Sequence, residues 1–170
     1  MLLTIIVLIL LSDYFLERYL DFLNGKHRST ELPEELQGIY DEEKYLKSQK
    51  YDKANSNFSF YTSSFSLLLM LLMLSLQGFN FLNTLTKNIS ENPVLITLLF
   101  FGILFFASDI LGIPFSIYHT FVIEERFGFN RTTVKTFIVD KLKGYLLTGI
   151  IGGFLLFPFL KSSITIFALV

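Results

Sequence analysis

The chain has 170 residues, of which 52% are hydrophobic and 17% charged, with a net charge of −1 and no cysteine. Soluble domains carry about 25% charged residues, so this balance and the positive mean hydropathy exclude an ordinary soluble domain. The absence of cysteine excludes disulfides and thiolate metal sites, and no basic cluster stands free of acids, which excludes a nucleic-acid partner.

The apolar residues fall in blocks near the roughly 20 residues needed to cross a bilayer, which predicts an all-α polytopic membrane protein with about four spans. Twenty Phe, eight Tyr and no Trp suit a lipid-facing surface. The first span is read at 2–23. It has no basic leader and no small-residue cleavage site, so it is read as a retained helix. Asp13, Glu17, Asp21 and Asn24 share one face of it. That stripe either leaves the membrane into water or lines an aqueous cavity. Gly25 is placed to stop the helix.

Glu31–Gly38 reads as a short helical turn opened by Pro33. Asp41 is a good N-cap, followed by Glu42 and Glu43 on the favourable end of the dipole. The helix it opens is expected to pass unbroken into a second span at 58–78, with Ser59, Ser63 and Ser66 as a small-residue seam. Residues 79–92 read as a short loop. Pro93 opens the third span at 94–117, where Ser108, Gly112 and Ser116 form another seam and Pro114 should bend the helix. Asp109, an acid inside this apolar run, is either a functional group or a hydrogen-bonded structural one.

Thr132 is placed to cap a further helix in which Val134, Phe137, Ile138, Leu142 and Tyr145 share a face, leading into a fourth span at 144–160. Gly149 and Gly153 make a GxxxG pair there, with Pro158 near the end. Ser162–Val170 starts another apolar phrase, as a truncated membrane protein would. Six Lys and Arg lie in 26–53 and five in 126–143, against one, Lys87, in 79–92. Loops 24–57 and 119–143 are therefore expected in the cytoplasm, with the N-terminus outside. Asn130 heads an Asn-x-Thr triplet on that cytoplasmic side and is assigned no glycan.

Signatures of hydrolases, phosphate loops and dinucleotide sites are absent. The two histidines, His27 and His119, fall short of the three protein ligands of a catalytic zinc, so no metal ligand and no catalytic residue is assigned. The stretch that stands out is Thr120-Phe-Val-Ile-Glu-Glu-Arg-Phe-Gly-Phe-Asn-Arg-Thr-Thr133, charged and glycine-punctuated between apolar runs.

That stretch resembles the hallmark loop of the type-1 CAAX prenyl proteases, integral-membrane zinc metalloendopeptidases, whose form reads TFVIEEKFGFN. Leu32-Pro-Glu-Glu-Leu36, Tyr40–Tyr45, Lys47–Tyr51 and Leu111–Tyr118 match the same family in order and spacing. The resemblance implies a helical membrane chamber in which a prenylated or membrane-proximal peptide is cut. Its zinc ligands, on an HExxH and a later Glu, lie downstream of the matched portion. Residues 1–170 would then be an N-terminal membrane domain, inactive alone and partnered by the bilayer and by a catalytic zinc domain supplied by the same gene or in trans.

Asp109 and His119 depart from the family pattern and carry no family role. Glu124, Glu125, Arg126, Phe127, Gly128, Phe129, Asn130 and Thr132 are the candidate docking or substrate-cleft loop. A plain capped membrane loop and direct acid–base chemistry at the glutamates stay open beside that reading. The alternative functions are a non-catalytic membrane scaffold and a small channel or carrier, the latter motivated by Asp109 and the carboxylates at 13, 17 and 21.

Overall fold

A computed structural model describes residues 1–26, 32 and 41–168, with side chains described up to 154 except at 153. The turn read at 31–38, His27, and the side chains of Pro158 and Lys161 lie outside the described residues. Among the described residues five α-helices follow in chain order: α1 (Leu2–Lys26), α2 (Glu42–Ser75), α3 (Gly78–Ile89), α4 (Pro93–Tyr118) and α5 (Val134–Ala168). A π-helical turn, His119–Glu124, follows α4 directly. The described residues contain no strand.

Only four apolar residues are buried among those described: Leu32, Val94, Ile123 and Phe127. Large apolar side chains such as Leu8, Phe101, Ile110 and Leu146 stand exposed along the helices. Water would penalise that much bare apolar surface, whereas lipid accepts it provided the backbone is satisfied within helices. Among the described residues two stretches, Glu42–Ser75 and Pro93–Glu124, are long and apolar enough to cross a membrane.

Contacts divide the chain into two units, Met1–Leu76 with Phe115–Asn130, and Gln77–Pro114 with Arg131–Val170. In the first unit α2 begins as expected: the Asp41 carboxylate accepts from the amides of Glu43 (2.9 Å) and Lys44 (3.1 Å). With those donors satisfied, the helix runs 34 residues without a break. Helix α1 continues to Lys26, so Gly25 lies inside it rather than ending it. The hydroxyls of Tyr14 and Ser64 join α1 to α2 at 2.6 Å. The hydrogen bond between the helices thus falls one residue past the expected seam position, and Ser63 instead bonds back to the Ser59 carbonyl at 2.7 Å.

In the second unit the expected loop at 79–92 is largely helix. Gln77 takes a left-handed conformation (φ 56°), and Gly78 opens α3 instead of closing the span before it. Phe79, Leu82, Asn83 and Thr86 are spaced for one helical face, and Thr86 is fully buried. At 12 residues, α3 reaches about 18 Å, short of a bilayer core of about 30 Å. Asn92 then caps α4, its side chain accepting from the Val94 amide at 2.9 Å, with Pro93 at the first helical position where a missing N–H costs nothing.

Helix α5 is one 35-residue element rather than an interfacial piece followed by a separate span. Its cap is Thr133, whose hydroxyl oxygen accepts from the Thr136 amide at 3.1 Å, not Thr132. The shared apolar face read at its start also divides. Val134, Ile138 and Leu142 are exposed, while Phe137, Lys141 and Tyr145 are half-buried. Lys141 and Tyr145 turn inward while Lys135, Asp140 and Lys143 stay exposed beside the aliphatic residues.

Candidate functional site

The Glu124–Asn130 segment lies in the first unit, against the N-terminal part of α2. Its main chain closes in two reciprocal steps: the Gly128 amide donates to the Glu125 carbonyl (3.0 Å) and the Phe129 amide to the Glu124 carbonyl (2.9 Å). With Gly128 left-handed at φ 71°, this is a Schellman motif, which satisfies the carbonyls a helix end leaves bare. The Asn130 amide reinforces it, with its backbone N–H to the Glu124 carbonyl at 3.3 Å and its side chain to Glu125 Oε2 at 2.8 Å.

Aromatic rings fix the closed turn to α2. Tyr51 meets Phe127 edge-on at 5.3 Å and Phe129 at 4.8 Å. Phe127 is buried, Phe129 is 50% exposed, and the Lys47 ammonium lies over the Phe129 ring at 5.3 Å. Each edge-to-face pair contributes about 0.5–1.5 kcal/mol beyond area burial, so Tyr51 is the principal anchor. Arg126 and Glu125 remain exposed on the outer side. Arg131, exposed, and Thr132, half-buried, belong to the second unit.

Behind the turn, Phe58 of α2 stacks on Tyr118 (5.7 Å, 17°) and meets His119 at 5.5 Å. His119 Nε2 is 3.0 Å from Asn55 Oδ1, and its Nδ1 is 3.8 Å from Glu124 Oε1. Asn55 also lines an open polar cleft of about 530 Å³ between α1 and α2, with Asp21, Asn24, Gln49, Asp52, Ser56 and Ser59. The carboxylate stripe of α1 therefore divides. Asp21 and Asn24 face the cleft, while Asp13 and Glu17 are exposed. Arg18, which the stripe reading passed over, bridges to Asp21 at 3.1 Å and lies between the Tyr14 and Phe60 rings at 5.6 and 5.9 Å. A cation two rings can hold is visible in sequence only as an Arg four residues past a Tyr.

Asp109, in the second unit, sits in a cluster of its own. Lys141 Nζ lies 2.6 Å from Asp109 Oδ1, and the Tyr145 hydroxyl donates to Oδ2. Lys141 and Tyr145 are one turn apart on α5, so the carboxylate is held by two donors from a single helix face.

Zinc, which the resemblance implies, finds no fitting donor set among the described residues. No group of three or more His, Asp or Glu able to hold a metal occurs among the described residues, and His119 already has one ring nitrogen on an amide oxygen.

Comparison with known proteins bears on the whole chain. Residues 22–167 match the family model described as CAAX prenyl protease N-terminal, five membrane helices, one helix more than the four spans read from hydropathy. The chain is similar to the Schizosaccharomyces pombe protein named "Probable CAAX prenyl protease 1", at 34% identity over 135 residues, 71% of this chain and 28% of that protein. To "CAAX prenyl protease 1" of Saccharomyces cerevisiae it is 32% identical over 162 residues, 89% of this chain and 36% of the relative. The crystal structure of S. mikatae Ste24p superposes with a TM-score of 0.86 at 32% identity, covering 94% of this chain and 39% of that one. The chain thus spans little more than a third of these proteins at most. By family match, sequence identity and fold together, it belongs to the CAAX prenyl protease family and corresponds to its N-terminal membrane portion.

Proposed function

We propose that residues 1–170 form the N-terminal membrane domain of a CAAX prenyl protease-like zinc metalloendopeptidase, building chamber wall and docking loops for a catalytic part supplied by the same gene or in trans. The observation that carries this reading is the superposition of 94% of the chain on Ste24p. On this reading the chain alone is inactive, and zinc and its ligands belong to the catalytic part. The substrate is a prenylated or membrane-proximal peptide.

The loop Glu124–Thr132 is the docking or substrate-cleft element. Its inner side is occupied by Tyr51 and its outer side offers Glu125, Arg126 and half of Phe129. Loops 24–57 and 119–143 are cytoplasmic and the N-terminus is outside. The Tyr51 contacts support a common side for the two loops, and their basic residues support the cytoplasmic side. Asp109 is a structural ion pair between α4 and α5.

A chimera tests the proposal: residues 1–170 replace the corresponding segment of the S. cerevisiae relative, and cleavage of a farnesylated CAAX peptide is measured in proteoliposomes. The reading predicts chelator-sensitive cleavage. A chimera that folds and binds stoichiometric zinc yet leaves the peptide intact would overturn it, as would zinc-dependent cleavage by the 170-residue chain alone.

A further inference from the structure

His119 and Glu124 open and close the π-helical turn, a geometry that in helices frequently marks a functional position. Asn55 Oδ1 is an acceptor, so the 3.0 Å contact assigns the ring proton to Nε2 in the neutral state. Nδ1 then presents a lone pair toward Glu124 Oε1, acceptor against acceptor, and the 3.8 Å separation exceeds a hydrogen bond. Adding a proton at Nδ1 changes this contact from repulsive to attractive without disturbing Asn55.

Glu124 faces the ring from the π turn, and Phe58 of α2 covers it. Asp52 of α2 and Asp21 of α1 line the cleft that Asn55 shares. Tyr118, the last residue of α4, precedes it with its ring on Phe58. The nearby cation of α2, Lys47, is placed over Phe129. Glu124 also carries the carbonyl that accepts the closing Phe129 amide and the reinforcing Asn130 amide, so restraining its side chain restrains the cap.

We propose that His119 is a proton-operated latch: protonation at Nδ1 pairs it with Glu124 and tightens the Glu124–Asn130 turn against α2, and deprotonation loosens it. Histidine is the side chain suited to such a change across roughly pH 5 to 8. The inference rests on the local geometry and is independent of the protease reading.

The test is hydrogen exchange of segment 124–130 in the full chain in nanodiscs, from pH 5 to 8, corrected for intrinsic rates. The latch predicts about fivefold greater protection at the acid end. The step vanishes in His119→Gln, whose amide reaches the Nε2 position and so keeps a donor for Asn55 but cannot titrate, and in Glu124→Gln. A step that persists in either variant, or no step in the unmodified chain, overturns the proposal. Should the variants misfold, the side-chain carboxyl carbon of Glu124 in the unmodified chain must shift in concert with the His119 ring nitrogens. Independent titration of the two groups would refute the latch.

Discussion

The Glu124–Asn130 loop and the Asp109 cluster both place charged residues among apolar helices, and they are held in opposite ways. In the loop the main chain does the closing, through paired amide bonds at a left-handed glycine, and the rings of Tyr51, Phe127 and Phe129 attach it to α2. The outer charges are left exposed. At Asp109 the side chains do everything: one carboxylate takes an ammonium and a phenol, and all three are half-buried. A loop built on backbone can present its side chains to a partner, whereas a cluster built on side chains has none to spare.

The comparison breaks most easily at the ion pair. Removing one partner, as in Asp109→Ala or Lys141→Ala, strands a half-buried charge and should destabilise by about 2 kcal/mol. Replacing both by leucine should recover most of that loss. Thermal unfolding of the four proteins in nanodiscs checks it, and a double variant as unstable as the singles would contradict the pair's structural role. Next in size is Tyr51→Ala, which removes two edge-to-face contacts at a cost of about 1–2 kcal/mol. The loss should be confined to protection of residues 124–130, with Tyr51→Phe nearly unchanged.

Gly128→Ala follows. A Cβ there meets nothing nearer than Lys47 Nζ at 3.7 Å, so the penalty is purely conformational, about 1 kcal/mol for a left-handed residue. Asn at the same place should cost less, because its side chain tolerates that conformation. Exchange rates in the loop separate the two variants. Smallest is Arg126→Gln, an exposed change expected to move stability by less than about 0.5 kcal/mol. A large thermal effect there would mean the outer charges hold the loop after all.

Much of this architecture is legible from local rules. Asp41 caps α2, Asn92 and Pro93 open α4, and Gly128 closes the turn, each because one residue and its immediate neighbours settle the geometry. Gly78 shows where such rules mislead. A glycine after a long apolar run reads as an ending, but the left-handed residue is Gln77 and the glycine begins α3. The spacing of Phe79, Leu82, Asn83 and Thr86 was the available signal. Thr133 in place of Thr132 at the α5 cap is a choice between identical neighbours that only backbone direction makes. Long-range partners had no signal at all: Lys141 lies 32 residues from Asp109, and Asn55 lies 64 from His119. Hydropathy identified Asp109 as anomalous without indicating that it is already paired.

The central claim is that the loop's inner face is occupied by α2 and its outer face meets the catalytic part. A photo-crosslinking residue at position 126 of the chimera addresses it directly, with one at Tyr51 as the inward control. The account predicts crosslinks from 126 into the zinc-binding portion and crosslinks from 51 confined to residues 1–170. Crosslinks from 126 to lipid alone, in a chimera that cleaves its peptide, would contradict it.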